Sequence, residues 1–429
     1  MLERVDVRSL DEGALRTLLA RAPVDAAGVP EAVAAVLERV RTGGDAALRE
    51  LTERFDGCRL DGFRVDPADA EAALEALDPD LRLALELARD QILAWHGAQH
   101  EREAHHERLG VQVRELVLPV ARAGCYVPGG RAAYPSTVLM TVVPARVAGV
   151  PEVVLCVPPR PDGTVPDAVL AAAALAGVDE IHRVGGAQAI AALAYGTESI
   201  RPVDVVVGPG NAYVAEAKRQ VTGVVGVDGI AGPSEIAIVA DATAPPELVA
   251  ADLLAQAEHG PGGAAVVVTW DPGVADAVDD AVSRALGTLA RHDDAAATIA
   301  SGGRVVLVDD PQHAMAAVNA IAPEHLQLMV DGAEGLVPSV RNAGAVFVGV
   351  DAPAVLGDYV AGVNHVLPTG ATARFASALG VRTFQKRVHV VGVERGALAR
   401  LAPYVEVLAE TEGLHAHADA VRRRVGGAP

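Results

Sequence analysis

The sequence predicts an α/β fold built on parallel sheets, with small helical extensions at the N- and C-termini. Three observations predict it. From about Leu116, short β-branched runs alternate with Ala-rich helical runs, and strand–helix–strand spacing of this kind implies parallel strands with helices on both faces. Hydrophobic residues make up 51% of the chain and aromatics only 3%, a small-residue mix that lets helices approach sheets closely. The length of 429 residues exceeds one simple core and points to two or three folding units.

The elements follow in order. Residues 1 to about 20 read as a polar, leucine-spaced lead-in with one small helix. From Val24 to about Gln99 the pattern is helical, with Val33, Val36, Leu37 and Val40 three and four apart; Asp80 to Trp95 repeats it. Val153–Val157, Glu180–Val184, Val203–Val207 and Ile236–Ala240 read as strands. Pro166–Ala176, Ala187–Ala194 and Ala212–Val221 read as the helices among them. A second run follows: helix Pro246–His259 with Gly260 past its end, strand Ala264–Thr269, helix Ala275–Leu289, and strands Arg304–Val308 and Ala345–Val348. After about Gly380 the alternation fades. Val388–Val393 reads as an edge strand and Gly396–Arg424 as two helices.

Composition narrows the function. The net charge is −20, with 56 acidic against 36 basic residues, the wrong sign for a phosphate-binding surface along nucleic acid. Cys58, Cys125 and Cys156 are odd in number and far apart, which argues against a disulfide framework or a thiolate metal site. The charged N-terminus lacks a signal-peptide core. The long apolar stretch from Val138 to Val157 is broken by Pro144, Arg146, Pro151 and Glu152, so it is poorly suited to span a bilayer. A cytoplasmic location is expected.

Five constellations carry chemistry-bearing side chains. Gln256 and His259 lie three apart at a helix end and share a face; they serve either as metal ligands, with Asp252 one turn earlier behind them, or as a solvated helix end. Ala322-Pro323-Glu324-His325-Leu326 sets a carboxylate beside an imidazole, either an acid/base pair or an ordinary capped helix start. Pro323 suits a first helical turn, where the helix dipole would favour a neutral imidazole. Gly357 to Thr369 reads as a loop carrying Asp358, Tyr359, Asn364 and His365. The tail segment Glu412 to Ala420 holds His415 and His417, which point different ways on a helix. Glycine corners at Tyr126–Gly130, Gly185–Gln188, Gly208–Asn211 and Gly232–Glu235 complete the set. The second and third follow strands, where open α/β sheets bind ligands. Gly208-Pro209-Gly210 is half a dinucleotide fingerprint, because Tyr213 stands where the third glycine would be.

In this order and spacing, the pieces from Tyr126 to Ala420 resemble the histidinol dehydrogenase family. The resemblance implies two incomplete Rossmann-like domains: residues 21–122 with 235–379 carrying the metal and catalytic residues, and residues 123–234 carrying the NAD side. Residues 1–20 would be an N-terminal helical extension, and 380–429 a tail reaching a partner subunit. It implies a zinc site of Gln256, His259, Asp358 and His417, the tail histidine being the one that counting from Glu412-Gly413-Leu414 selects. Glu324 and His325 would be the catalytic pair. Substrate contacts would come from Ser234, Gln256, His259, His325, Asp358, His365, Glu412 and His417, and NAD contacts from Tyr126, Gln188 and Asn211. The family's reaction takes L-histidinol to L-histidine through an aldehyde with two NAD, and its members are homodimers whose tails complete the partner's site. Three rivals share parts of the pattern. A related dehydrogenase acting on a sulfonated alcohol would want an extra Arg or Lys among the substrate motifs, which have none. A zinc hydrolase would not need the glycine corners, and a non-catalytic dimer would need no metal.

Overall fold

The computed structural model describes residues 2–19, 28–101, 103–130, 132–230, 232–260 and 262–426. Val24 to Ala27, read as the start of the helical region, lie outside them. Among the described residues the strands are β1 Glu3–Asp6, β2 His105–Arg108, β3 Val111–Pro119, β4 Arg122–Tyr126, β5 Glu152–Val157, β6 Glu180–Arg183, β7 Val205–Val207, β8 Gly226–Val227, β9 Glu235–Ala240, β10 Ala264–Thr269, β11 Gly303–Leu307, β12 His325–Met329, β13 Ala345–Val348 and β14 Gln385–Val393. They form three sheets, ordered β1-β11-β10-β9-β12-β13, β6-β5-β4-β7-β8 and β14-β3-β2.

The chain divides into two compact units, one of Met1–Gln99 with Ala121–Phe384 and one of His100–Val120 with Gln385–Pro429. Both parallel sheets lie in the first unit, and the parallel α/β class expected from the alternation is present. Each sheet is doubly wound. In the five-stranded sheet the chain runs outward from β4 through β5 to β6, then crosses back to place β7 on the other side of β4. In the six-stranded sheet it runs from β9 through β10 to β11, then returns to place β12 and β13 beyond β9. Each order has a switch point, between β4 and β7 and between β9 and β12.

Both faces of the six-stranded sheet are covered. Ile236, Ile238 and Val267 pack with Val249, Leu253, Val278 and Val282 on one side. Ala237, Val239, Leu326 and Leu328 pack with Leu15, Met315 and Val318 on the other. Strands buried on both faces read as continuous apolar runs without alternation. Truncating a core side chain such as Leu253, fully buried, would cost about 2–5 kcal/mol.

Three differences from the sequence reading have physical causes. Residues Glu3–Asp6, read as part of a helical lead-in, form edge strand β1 parallel to β11, and only Glu12–Leu18 is helical there, capped by the Asp11 side chain. The helix Val29–Asp56, expected to accompany residues 235–379, buries its apolar face of Val33, Leu37, Val40, Leu48 and Leu51 with Ile190, Leu193 and Val214 against the five-stranded sheet. The helix expected over Pro246–His259 ends at Ala257. Among the described residues no helix is long and apolar enough to cross a membrane.

In the second unit β14 pairs antiparallel with β3, and β2 pairs with β3's other edge. The two tail helices read from the sequence are Arg395–Thr411 and His415–Val425.

Candidate active site

The Glu324–His325 pair does not start a helix. Ala322 ends helix Pro311–Ile321 in the left-handed region, φ 53°, and His325 opens β12, the strand next to β9 at the switch point. Pro323 disfavours helical backbone at the residue before it. The following run, His325 to Met329, is buried throughout. Both side chains of the pair are buried, Glu324 at 6% exposure and His325 at 3%. They lie at the amino ends of the strands, the end opposite the one where open α/β sheets usually bind ligands.

One residue holds the pair. The N–H of Glu235, first in β9, donates to Glu324 Oε2 at 2.8 Å. Its carbonyl lies 3.1 Å from His325 Nδ1, where the ring nitrogen can only donate. The Glu235 carboxylate in turn accepts from the N–H of Gly370 at 2.9 Å through Oε1, and Thr369 Oγ1 accepts from the N–H of Gly232. The Gly232–Glu235 corner and the loop after His365 are therefore tied to each other.

His325 opens a strand, so the helix dipole expected to favour its neutral form is absent. Burial alone would lower its pKa. The charges of Glu324, with Oε2 3.6 Å from Nδ1, and of Asp358, with Oδ1 3.7 Å from Nε2, outweigh burial and raise it. Burial would raise the pKa of Asp358, but His325, His365 and His259 together lower it. Burial lowers the pKa of His365. Its Nδ1 donates to the Asp358 carbonyl at 3.0 Å, and its Nε2 lies 3.2 Å from Thr137 Oγ1. Asp358 sits in the one-turn helix Val355–Tyr359, not in the open loop read from the sequence. Asn364 pins that region to helix Pro135–Val147 by donating to the Met140 carbonyl at 2.6 Å. His325 also stacks on Phe347, with ring centroids 6.0 Å apart.

The other expected ligands are placed as follows. Gln256, in the last turn of Pro246–Ala257, is 5% exposed, and its Nε2 is buried without a hydrogen-bond partner among the described residues. His259 lies just beyond that helix, exposed, with Nδ1 3.3 Å from the Gln256 carbonyl. Asp252, half-buried, has its pKa raised by burial against an opposing hydrogen bond from Gln327. Ser234 is half-buried immediately before β9. Glu412, at the end of helix Arg395–Thr411, and His415 and His417, in the first turn of the last helix, are exposed and belong to the second unit. Among the described residues no three His, Cys, Asp or Glu side chains gather as a metal centre.

A second cluster lies at the carboxyl ends of the five-stranded sheet, at the switch point between β4 and β7. Tyr126 closes β4, and its hydroxyl accepts from the N–H of Gly186 at 3.1 Å. Gln188, 2% exposed, lies in the helix that begins at Gly186, with Nε2 3.5 Å from Asp56 Oδ2. Gly208 follows β7 with φ 115°, and a Cβ there would lie 2.1 Å from the Tyr126 carbonyl oxygen. Only glycine permits that approach. Asn211 caps helix Ala212–Val221, its Oδ1 accepting from Tyr213 and Val214 N–H. Sequence reasoning missed Thr137, Phe347 and the clamping role of Glu235. Only Glu235 carried a signal, as the last residue of the Gly232–Glu235 corner.

Comparison with known proteins gives a consistent set of relatives. The family model described as histidinol dehydrogenase matches residues 19–425. Histidinol dehydrogenase of Rhizobium meliloti (strain 1021) is 49% identical over 396 residues, 92% of this chain and 91% of the relative. That of Methanothermobacter thermautotrophicus is 47% identical over 420 residues, 98% and 99% of the two chains. The crystal structure of histidinol dehydrogenase from Elizabethkingia anophelis superposes with a TM-score of 0.94 at 34% identity, covering 99% of this chain and 98% of that one.

Proposed function

The chain belongs to the histidinol dehydrogenase family and is an oxidoreductase, and from that premise we propose that it converts L-histidinol to L-histidine. The reaction is a four-electron oxidation through histidinaldehyde, consuming two NAD and one water, as the last step of histidine biosynthesis. The observation that carries this reading is the buried Glu324–His325 pair, held by the backbone of Glu235 beside Asp358.

The chain's own groups suit the two steps. His325 Nδ1 is committed to the Glu235 carbonyl, so Nε2 takes the hydroxyl proton as the alcohol is oxidised. Glu324 and Asp358 stabilise the imidazolium that results. Glu324 then draws a proton from the water that attacks the aldehyde. Holding the aldehyde between the steps keeps a reactive compound from escaping. Ser234, His365 and Glu412 would orient the amino alcohol. Tyr126, Gln188 and Asn211 would hold NAD, which would supply the hydride acceptor for both steps. The switch-point position of Tyr126 and Gly208 supports that placement.

The residues fit a divalent metal. Gln256 is buried at the end of its helix, where its amide oxygen would be the ligand, and His259 lies within electrostatic reach of Asp358. Two imidazoles, one carboxylate and one amide form a borderline donor set that zinc accepts. Gln256, His259, Asp358 and the tail's His417 would hold the ion, which would orient the substrate's imidazole and amine nitrogens. His417 would come from a second copy. The exposed Tyr404, Val407 and Leu408 of the tail helix, 64–70% exposed, support a homodimer that covers them.

The test is NADH formation with L-histidinol, before and after a chelator. Two NADH per histidinol, lost on chelation and restored by zinc, are expected. NADH from another alcohol but not from histidinol would move the substrate. No NADH from any alcohol, with folded metal-loaded protein, would overturn the reading.

A further inference from the structure

We propose that the buried Lys218–Asp228 pair is a positioning device for the dinucleotide corner: it holds both polar groups of Gly208 and so sets how tightly NAD binds. This rests on the NAD reading above and adds two residues to it, neither of which belongs to the expected cofactor contacts.

Lys218 lies on helix Ala212–Val221, and Asp228 follows β8 directly. Each side chain is 2% exposed, and Lys218 Nζ is in direct contact with Asp228 Oδ1. Both reach the same residue. Lys218 Nζ donates to the Gly208 carbonyl at 3.0 Å, and Asp228 Oδ2 accepts from the Gly208 N–H at 2.7 Å. The other carboxylate oxygen of Asp228 also accepts from the N–H of Gly229 at 2.8 Å.

The position of Gly208 gives the pair its meaning. With φ 115° and room for no Cβ, which would lie 2.1 Å from the Tyr126 carbonyl oxygen, Gly208 packs the end of β7 on the end of β4. A glycine is free to leave that conformation. Gly210 and Asn211 follow it, and Gly210 is itself pressed on Val214, where a Cβ would meet Cγ1 at 2.4 Å. The third glycine of the usual fingerprint is replaced here by Tyr213, so the corner lacks that way of fixing its helix. Two opposite charges gripping one peptide residue supply an alternative. Stability alone does not call for them: burying an ion pair is often no better than burying apolar residues of the same size.

The test uses the full-length enzyme. Lys218→Met with Asp228→Leu removes both charges together and leaves neither unpaired. KM for NAD in the histidinol reaction is expected to rise about tenfold, with the NADH dissociation constant rising in parallel by fluorescence. The histidinol KM and the rate at saturating NAD are expected to move less than twofold. Arg219→Ala, on the exposed side of the same helix, is the control and should leave the NAD KM unchanged. Should the double variant fail to fold, Asp228→Asn, which keeps an acceptor for the Gly208 N–H, is expected to raise the NAD KM about threefold. An unchanged NAD KM in either folded variant overturns the inference, as does an equal rise in both KM values, which would mark general loosening. A wild-type enzyme that binds no NAD would bring down the NAD reading itself, and is distinguished from failure of this inference by the wild-type titration.

Discussion

The carbonyl of Glu235 faces Nδ1 of His325 at 3.1 Å, which leaves the opposite ring nitrogen as the acceptor for a proton. His325→Asn should keep an N–H near the Nδ1 position and lose the base. Alcohol oxidation is expected to fall about a hundred- to ten-thousand-fold, with stability changed by about 1 kcal/mol. Single-turnover NADH formation and urea unfolding measure the two effects. Activity within tenfold of wild type would remove His325 from the proton's path.

Glu324→Gln separates the half-reactions. The amide keeps an oxygen for the Glu235 N–H, a 2.8 Å contact in the native protein, but cannot take a proton from water. Oxidation of histidinaldehyde should drop about a hundredfold or more, and oxidation of histidinol considerably less. Equal damage to both, assayed separately, would contradict this division of roles.

Gly208→Ala should be among the most damaging glycine substitutions. Its new methyl would sit 2.1 Å from the Tyr126 carbonyl oxygen, so backbone must move, at a cost of about 3 kcal/mol or more. Gly332→Ala shares a positive φ, 63°, but has nothing within 4 Å of the added carbon, and should cost about 1 kcal/mol. Urea midpoints for the two variants that agreed would show that the contact with Tyr126 is not tight.

Asp56 gives a pH signature. Burial pushes its carboxyl from 3.8 up to about 6, so the folded protein holds a proton that the unfolded chain releases. Its stabilising contribution is full below pH 3.8 and is lost as pH rises through about 6, a difference of about 3 kcal/mol unscreened and about 2 kcal/mol at this half-buried group. Asp56→Asn should unfold at a higher urea concentration than wild type at pH 7 and show little difference at pH 4. A constant difference across that range would place the burial of Asp56 elsewhere.

Much of both units was legible. The strand at Ala345–Val348 and the tail helices appear where the pattern put them. Strand β12 was not legible, because a strand buried on both faces lacks alternation and the left-handed turn at Ala322 has no residue-type signature. The packing of helix Val29–Asp56 on the five-stranded sheet was hidden too, since an apolar stripe does not name its partner. At the site, Glu324, His325, Asp358 and His365 stood out by side-chain chemistry, and the structure brings them together. Glu235 acts on the pair through its backbone, which any residue could supply, and Thr137 reaches His365 from a helix that the sequence reading left undrawn.

The stretch from Asp228 to Glu235 has a consequence for how the enzyme could change. Its first residue grips Gly208 at the end of one sheet, and its last grips Glu324 and His325 of the other. Seven peptide units join them, at most about 25 Å of chain. The two sheets are thus coupled by a short covalent tether whose length would set the reach between the proposed NAD corner and the Glu324–His325 pair. An added or deleted residue there would leave both cores foldable, yet misplace two correct half-sites, and a shift of about 1 Å is enough to slow such chemistry a hundredfold.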